Sequence, residues 1–211
     1  MISIIIKVIK TLSSQVRDRG IYYVLLMNMS HIIGVLRGYF YKLLYLKNIK
    51  SSIYSLQSKS SIEIFNENSK VYIGKFVFIR KNVSIRIDFN GELSLGDNVF
   101  INDNCTINCV SKVSIGENTK IAPNVCINDH DHNFKYNSGD HLIRGNVVIG
   151  KNVWIGSNVV ILMNTTIGDN AVIAAGSVVK GEVPPNTLFF NKREKSYKSI
   201  LIQDENVYKA N

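Results

Sequence analysis

From Ile149 onward, aliphatic residues recur at every sixth position: Ile149, Ile155, Ile161, Ile167, Ile173 and Val179. The same beat runs earlier through Leu95, Ile101, Ile107 and Val113. After a two-residue offset it resumes at Ile115, Ile121 and Ile127, and a weaker stretch holds Ile73, Ile79 and Ile85. A helix would repeat at three and four and a half-buried strand at two, so a period of six belongs to neither. It suits a triangular coil of three short parallel strands, about 18 residues per turn, whose inward aliphatic side chains stack coil upon coil.

Two further positions keep step. Four residues after each aliphatic stands a small or β-branched residue (Val153, Val159, Thr165, Ala171, Ser177), and three after it stands Asn152, Asn158, Asn164, Asn170 or Gly176. Asn and Gly tolerate left-handed backbone, so these positions predict tight corners. The pattern predicts an all-β fold, a parallel β-helix over residues 51–187, followed by a tail at 188–211. It breaks at Ile127-Asn128-Asp129-His130-Asp131-His132 and resumes near Val147. Residues 133–146 are too polar and irregular for the coil and read as an inserted loop of the kind that carries function. A histidine at its root is suited to taking a proton near neutral pH.

Charge separates the first 50 residues from the rest. Of a net charge of +9, that segment holds +7, eight Lys and Arg against Asp18 alone, leaving +2 for the other 161 residues. A general nucleic-acid binder would carry its basic stripe on the folded body, so that class is disfavoured. Lys7 and Lys10 interrupt the apolar start, and no small-residue cleavage site follows, unlike a signal peptide. The uncharged run Ile21–Leu36 is 16 residues and includes Asn28, Ser30 and His31, short of the roughly 20 apolar residues that cross a bilayer. The stretch 34–50 mixes Leu, Tyr and Phe with Arg and Lys. It predicts a helix on an anionic membrane surface, basic side chains flanking an apolar wedge; helices packed on the body or a neighbouring subunit are the alternative. Three cysteines, an odd number without CxxC spacing, point to reduced thiols and a cytoplasmic setting.

The sextets across roughly 71–185 resemble the hexapeptide-repeat acyltransferase family. The resemblance implies a left-handed coil, contrary to the usual right-handed crossover, and a homotrimer with active sites in clefts between adjacent helices. The detail is similar to galactoside and maltose acetyltransferases and to capsule and O-antigen sugar O-acetyltransferases. There, a segment like Ile121-Ala122-Pro123-Asn124-Val125 is followed, eleven positions after its first residue, by the catalytic base, here His132. The segment Asn152-Val153-Trp154-Ile155-Gly156-Ser157 resembles the family's NVWIGS motif. By that match Trp154 lines the acetyl-CoA cleft, Ser157 lies near the thioester, Ala175 joins the coenzyme-binding set, and Asn102 aligns with an asparagine that binds the acceptor.

The implied reaction moves acetyl from acetyl-CoA to a sugar hydroxyl, without a metal. His130 shares a strand face with His132 and is the second choice of base or a substrate contact; Asp131 points away, and His141 belongs to the loop. Asn102 equally suits a corner, and Trp154 a buried coil edge. The chain departs from the family after Val183-Pro184-Pro185-Asn186, where an AGNPAK-like stretch is replaced by 189–195. Recognition of the adenosine 3′-phosphate then falls to Lys180, Lys192 and Arg193. The basic N-terminal segment suggests a lipid-linked saccharide acceptor met at the inner membrane face. Rival readings are an N-acyltransferase of an amino-sugar nucleotide, a gamma-class carbonic-anhydrase-like metal enzyme and a non-catalytic scaffold. The metal enzyme needs widely placed histidines, whereas all those of the body lie between 130 and 141.

Overall fold

Rungs form where the period of six puts them. In the computed structural model, which describes residues 2–134 and 141–192, the chain winds into a parallel β-solenoid with three faces. Strands of the first face are Ile49–Ser51, Lys70–Ile73, Glu92–Leu95, Lys112–Ile115 and Asn146–Ile149. The second face stacks Tyr54–Leu56, Val77–Ile79, Phe100–Ile101, Lys120–Ile121, Trp154–Ile155, Val172–Ile173 and Leu188–Phe189. The third stacks Ser61–Ile64, Ser84–Ile87, Thr106–Cys109 and Cys126–Asn128. Val160–Ile167 and Val178–Val183 each run round a corner, pairing on the third face and then on the first.

Registers align one rung above the next. On the second face Ile79, Ile101, Ile121, Ile155, Ile173 and Phe189 are successive partners, and on the third Ile62, Ile85, Ile107, Ile127, Ile161 and Val179. The isoleucines of both columns are at most 1% exposed, so each loses its apolar surface to water almost completely. Full burial of such a side chain stabilises by about 1.5–3 kcal/mol. Val153, Val159, Thr165, Ala171 and Ser177 are buried beneath the corners as their spacing predicts.

Corner asparagines have the expected backbone. Asn152, Asn158, Asn164 and Asn170 have φ of 55–59°, and Gly176 has 69°. Their side chains add a bond not foreseen from spacing. Asn98 donates to Asn118, Asn152 to Asn170, and Asn170 to Asn186, forming an amide ladder down one edge.

The coil is not uniformly 18 residues. Val147 to Thr165 spans 18, but Val71 to Leu93 spans 22 and Leu93 to Val113 spans 20. The surplus lies at the corner between the third and first faces, where 65–69 and 88–91 form wider turns. The solenoid also starts at Ile49, a full coil before the repeat emerges in the sequence. Ahead of it lie helices α1 (Ile2–Arg19) and α2 (Ile21–Leu44), separated by Gly20 at φ 80°. α2 lies on the first coil, with Tyr41 packed against the core.

Candidate active site

Asp129 begins the break after the fourth coil. It follows Ile127 by two residues, so strand alternation turns its side chain inward, above Cys109 of the coil before. It is fully buried. Its carboxylate accepts backbone N–H bonds from Val110 (2.9 and 3.1 Å) and Ser111 (2.8 Å), and Oδ1 lies 3.0 Å from His130 Nδ1. A carboxylate accepting here makes His130 Nδ1 the donor of this contact.

From there the chain leaves the solenoid as a hairpin. His130–His132 pairs antiparallel with Leu142–Arg144, His132 opposite Leu142, and Asp129 O closes the base by accepting from Gly145 N–H at 2.7 Å. His130, His132 and His141 line one cavity of about 280 Å³ with Arg86, Asp88 and Phe89. His130 is half-buried and His132 exposed; Asp131 bonds only the His132 backbone N–H, at 2.8 Å, and does not orient its ring. Phe89 sits on the wide corner of the second coil at φ 49°, left-handed backbone that an aromatic residue rarely adopts. Its ring lies under the Arg144 guanidinium (5.2 Å) and edge-on to His141 (6.2 Å).

A second concavity lies on the second face. Asn102, Trp154 and Ser157 line a cleft of about 620 Å³ together with Phe78, Phe100 and Lys120. Asn102 is not a corner residue, since the left-handed positions flanking it are Asn98 and Asn104. Its Oδ1 accepts from the Asp103 backbone N–H at 2.8 Å, which turns its amide nitrogen outward. Trp154 is 52% exposed and so is not a buried edge residue. Gly156 makes the cleft wall thin: a Cβ there would meet Ala175 N at 2.6 Å, so only glycine lets these two coils close behind Ser157.

Within one chain these two sites stay apart. The histidines occupy the corner between the third and first faces, while Asn102, Trp154 and Ser157 occupy the second face. Ala175 is exposed one coil beyond Ser157. Lys180 and Lys192 are exposed and line neither cavity, and Arg193 lies outside the described residues. Among the described residues no group of three or more His, Cys, Asp or Glu is placed to hold a metal. Residues that spacing did not single out are Asp129, Phe89 and the stacked pair Phe78–Phe100, 5.7 Å apart and 3° from parallel. Strand parity from Ile127 would have placed Asp129 inside; nothing in the sequence marks Phe89.

Residues 146–181 match the model of the family described as bacterial transferase hexapeptide (six repeats). The chain is similar to the hexapeptide-repeat acyltransferases. A putative lipopolysaccharide-biosynthesis O-acetyltransferase of Escherichia coli is 39% identical over 121 residues, covering 50% of this chain and 61% of that protein. The galactoside O-acetyltransferase of the same organism is 35% identical over 126 residues, covering 59% and 62%. The chain thus spans about three fifths of the length of these two relatives. Among solved structures, a hexapeptide-repeat acetyltransferase of Vibrio cholerae superposes with a TM-score of 0.50 at 25% identity, covering 85% of each chain.

Proposed function

We propose that this hexapeptide-repeat acyltransferase moves acetyl from acetyl-CoA to a hydroxyl of a sugar in a capsule or O-antigen precursor, with His132 as general base. One observation carries the reading: the exposed imidazole and the Trp154–Ser157 cleft stand on different faces of one prism, each incomplete without the other. A homotrimer brings the histidine corner of one copy beside the second-face cleft of the next. The two Escherichia coli relatives, one named as a galactoside O-acetyltransferase and the other as a putative O-acetyl transferase of lipopolysaccharide biosynthesis, support hydroxyl and saccharide as acceptor chemistry.

The steps follow from the side chains. Trp154, Ser157 and Ala175 hold the coenzyme arm and thioester, Asn102 donates to the acceptor, and Phe89 offers an aromatic face beside the histidines. The His132 imidazole accepts the hydroxyl proton as the sugar oxygen bonds to the thioester carbonyl carbon. The oxyanion is met by N–H and O–H donors at Ser157. Collapse breaks the carbon–sulfur bond, and the CoA thiolate takes the proton back from the imidazolium. His130, clamped by Asp129, fixes the hairpin root that carries His132.

Thiol release from acetyl-CoA with a hydroxylated glycan acceptor tests this reading. His132→Ala is expected to lower kcat by about 10²–10⁴, and His130→Ala by much less. Mixing His132→Ala and Trp154→Ala subunits should restore part of the activity, because some interfaces then hold both wild-type halves. Acetylation confined to a 4-amino-sugar nucleotide overturns the hydroxyl assignment. Loss of activity in His130→Ala with full activity in His132→Ala moves the base to His130.

A further inference from the structure

Among the described residues α2 leaves the outward half of its surface without a partner, and that half carries no charge. Docking uses one side only: Gly34 and Gly38 are buried against the first coil, and Val24 is buried too. A Cβ on Gly34 would meet Ser55 Oγ at 2.2 Å, and one on Gly38 would meet Tyr54 O at 2.9 Å, so the two glycines let the helix axis sit directly on the strand. Tyr54 Oη donates to Gly38 O at 2.7 Å, and Ser30 Oγ to Gln57 Oε1 at 2.9 Å. Both cations of α2 are turned to this same side: Arg37 Nη2 donates to Ser60 O (2.9 Å) and Lys42 Nζ to Ser51 O (2.8 Å). These two basic residues therefore do not flank the outward face, contrary to the expectation from sequence.

More than half of the 24 residues of α2 are exposed large apolar side chains. Leu25, Ile32, Leu36, Tyr39, Phe40 and Leu43 mark the half-cylinder, each 47–62% exposed. At 1.5 Å per residue the stripe is about 36 Å long, well beyond the apolar patch a solvated surface normally shows. By length and composition α2 could cross a membrane, but its contacts with the first coil run from Ser30 to Lys42, so in this docked position it lies flat. Exposed cations precede and follow the stripe in the chain: Lys10, Arg17 and Arg19 on α1 and Lys47 after α2, while Lys50 lies over the Tyr72 ring. Asp18 is the single acid of residues 1–50. A second copy laid on this face would set these cations against their own kind, whereas anionic lipid headgroups complement them.

We infer that α2 seats the protein in the plane of an anionic phospholipid bilayer, its apolar half among the acyl-chain ends and the neighbouring Lys and Arg at the headgroups. This inference is independent of the acetyl chemistry except in one consequence, which rests on the proposed function. His31 of α2 packs against Phe78 with ring centroids 5.0 Å apart and the planes tilted by 50°, and Phe78 lines the cleft of Asn102 and Trp154. The membrane therefore lies at the lower end of that cleft, where an acceptor on a lipid carrier enters.

Sedimentation of the full-length protein with vesicles tests it, comparing phosphatidylglycerol–phosphatidylcholine with phosphatidylcholine alone. Wild type should pellet with the anionic vesicles, and the double variant Leu25→Glu/Leu36→Glu should bind at least tenfold less. Both positions are exposed, so its thermal midpoint and its solution mass should be unchanged. A wild type that stays in the supernatant overturns the inference. So does a double variant of reduced solution mass, which would mean another copy covers the face, or resistance of the bound protein to alkaline carbonate, which would mean a spanning helix. Acetyl transfer to a soluble acceptor, assayed in parallel, reads the enzymatic proposal separately.

Discussion

Coils on either side of the hairpin bury the same kind of rung and differ at their corners. Above it, from Val147 to Val183, a coil spans 18 residues or fewer and turns on asparagine or glycine. Below it, from Ile49 to Cys109, coils span 20–23 residues, and Lys59, Phe76, Phe89 and Asn90 take left-handed corners too. Tight corners leave only a ladder of amides at the surface. Wide ones project Phe89 into the histidine cavity. Rungs set the fold, and the corners that break the repeat supply the chemistry.

If the rungs are equivalent, deleting one should cost the same in either region. Ile155→Ala and Ile85→Ala are each expected to lose about 2–5 kcal/mol in urea unfolding; a much smaller loss at Ile85 would show that the wide coils are held by their corners instead. Asp129→Asn comes next. An amide oxygen in the Oδ2 place still accepts from Val110 and Ser111, but its NH2 then replaces the acceptor facing His130 Nδ1, a loss of about 1–3 kcal/mol. The loss should be accompanied by lower activity, measured as thiol release.

Corners should respond in opposite directions. Asn152→Ala places an ordinary residue in left-handed backbone and removes an amide rung, for about 1–2 kcal/mol. Phe89→Gly relieves the same kind of backbone strain, so thermal unfolding should show unchanged or raised stability while turnover falls. The smallest effect belongs to the Arg80–Asp103 pair, bidentate at 2.9 and 3.2 Å between successive coils. The Arg80 guanidinium holds the Asp103 carboxyl below its ordinary value. Its stabilisation is therefore complete above the unfolded carboxylate range and is lost as pH falls through the lowered folded value. Both partners are about one-third exposed or more, so Asp103→Asn should cost no more than about 1 kcal/mol at neutral pH. The difference from wild type should close in acid.

Much of the solenoid was legible because the inward residue of each strand has only one chemical requirement, to be apolar and of constant size. The first coil was not. Lys59 and Phe76 stand where asparagine would have announced a corner, and wide turns at 65–69 and 88–91 shift the beat. His130, His132, Trp154 and Ser157 were marked by motif spacing, and both concavities include them. Spacing runs along the chain, however, and could not tell that the histidines and the tryptophan face different ways. Asp129 escaped notice because an acid beside a histidine reads as solvated unless strand parity is followed past Ile127. In α2, the apolar character was readable but the inward turn of Arg37 and Lys42 was not, since it depends on carbonyls of Ser60 and Ser51 contributed by the solenoid.

The docking of α2 on the first coil also bears on how such a chain avoids polymerising. A stack of parallel strands ends in rows of unpaired N–H and C=O groups able to template another chain. The helix, held down by Gly34 and Gly38, covers the Tyr54–Leu56 end of that stack. A bulkier residue at Gly38 would lift it and uncover strands with every property needed for fibre growth.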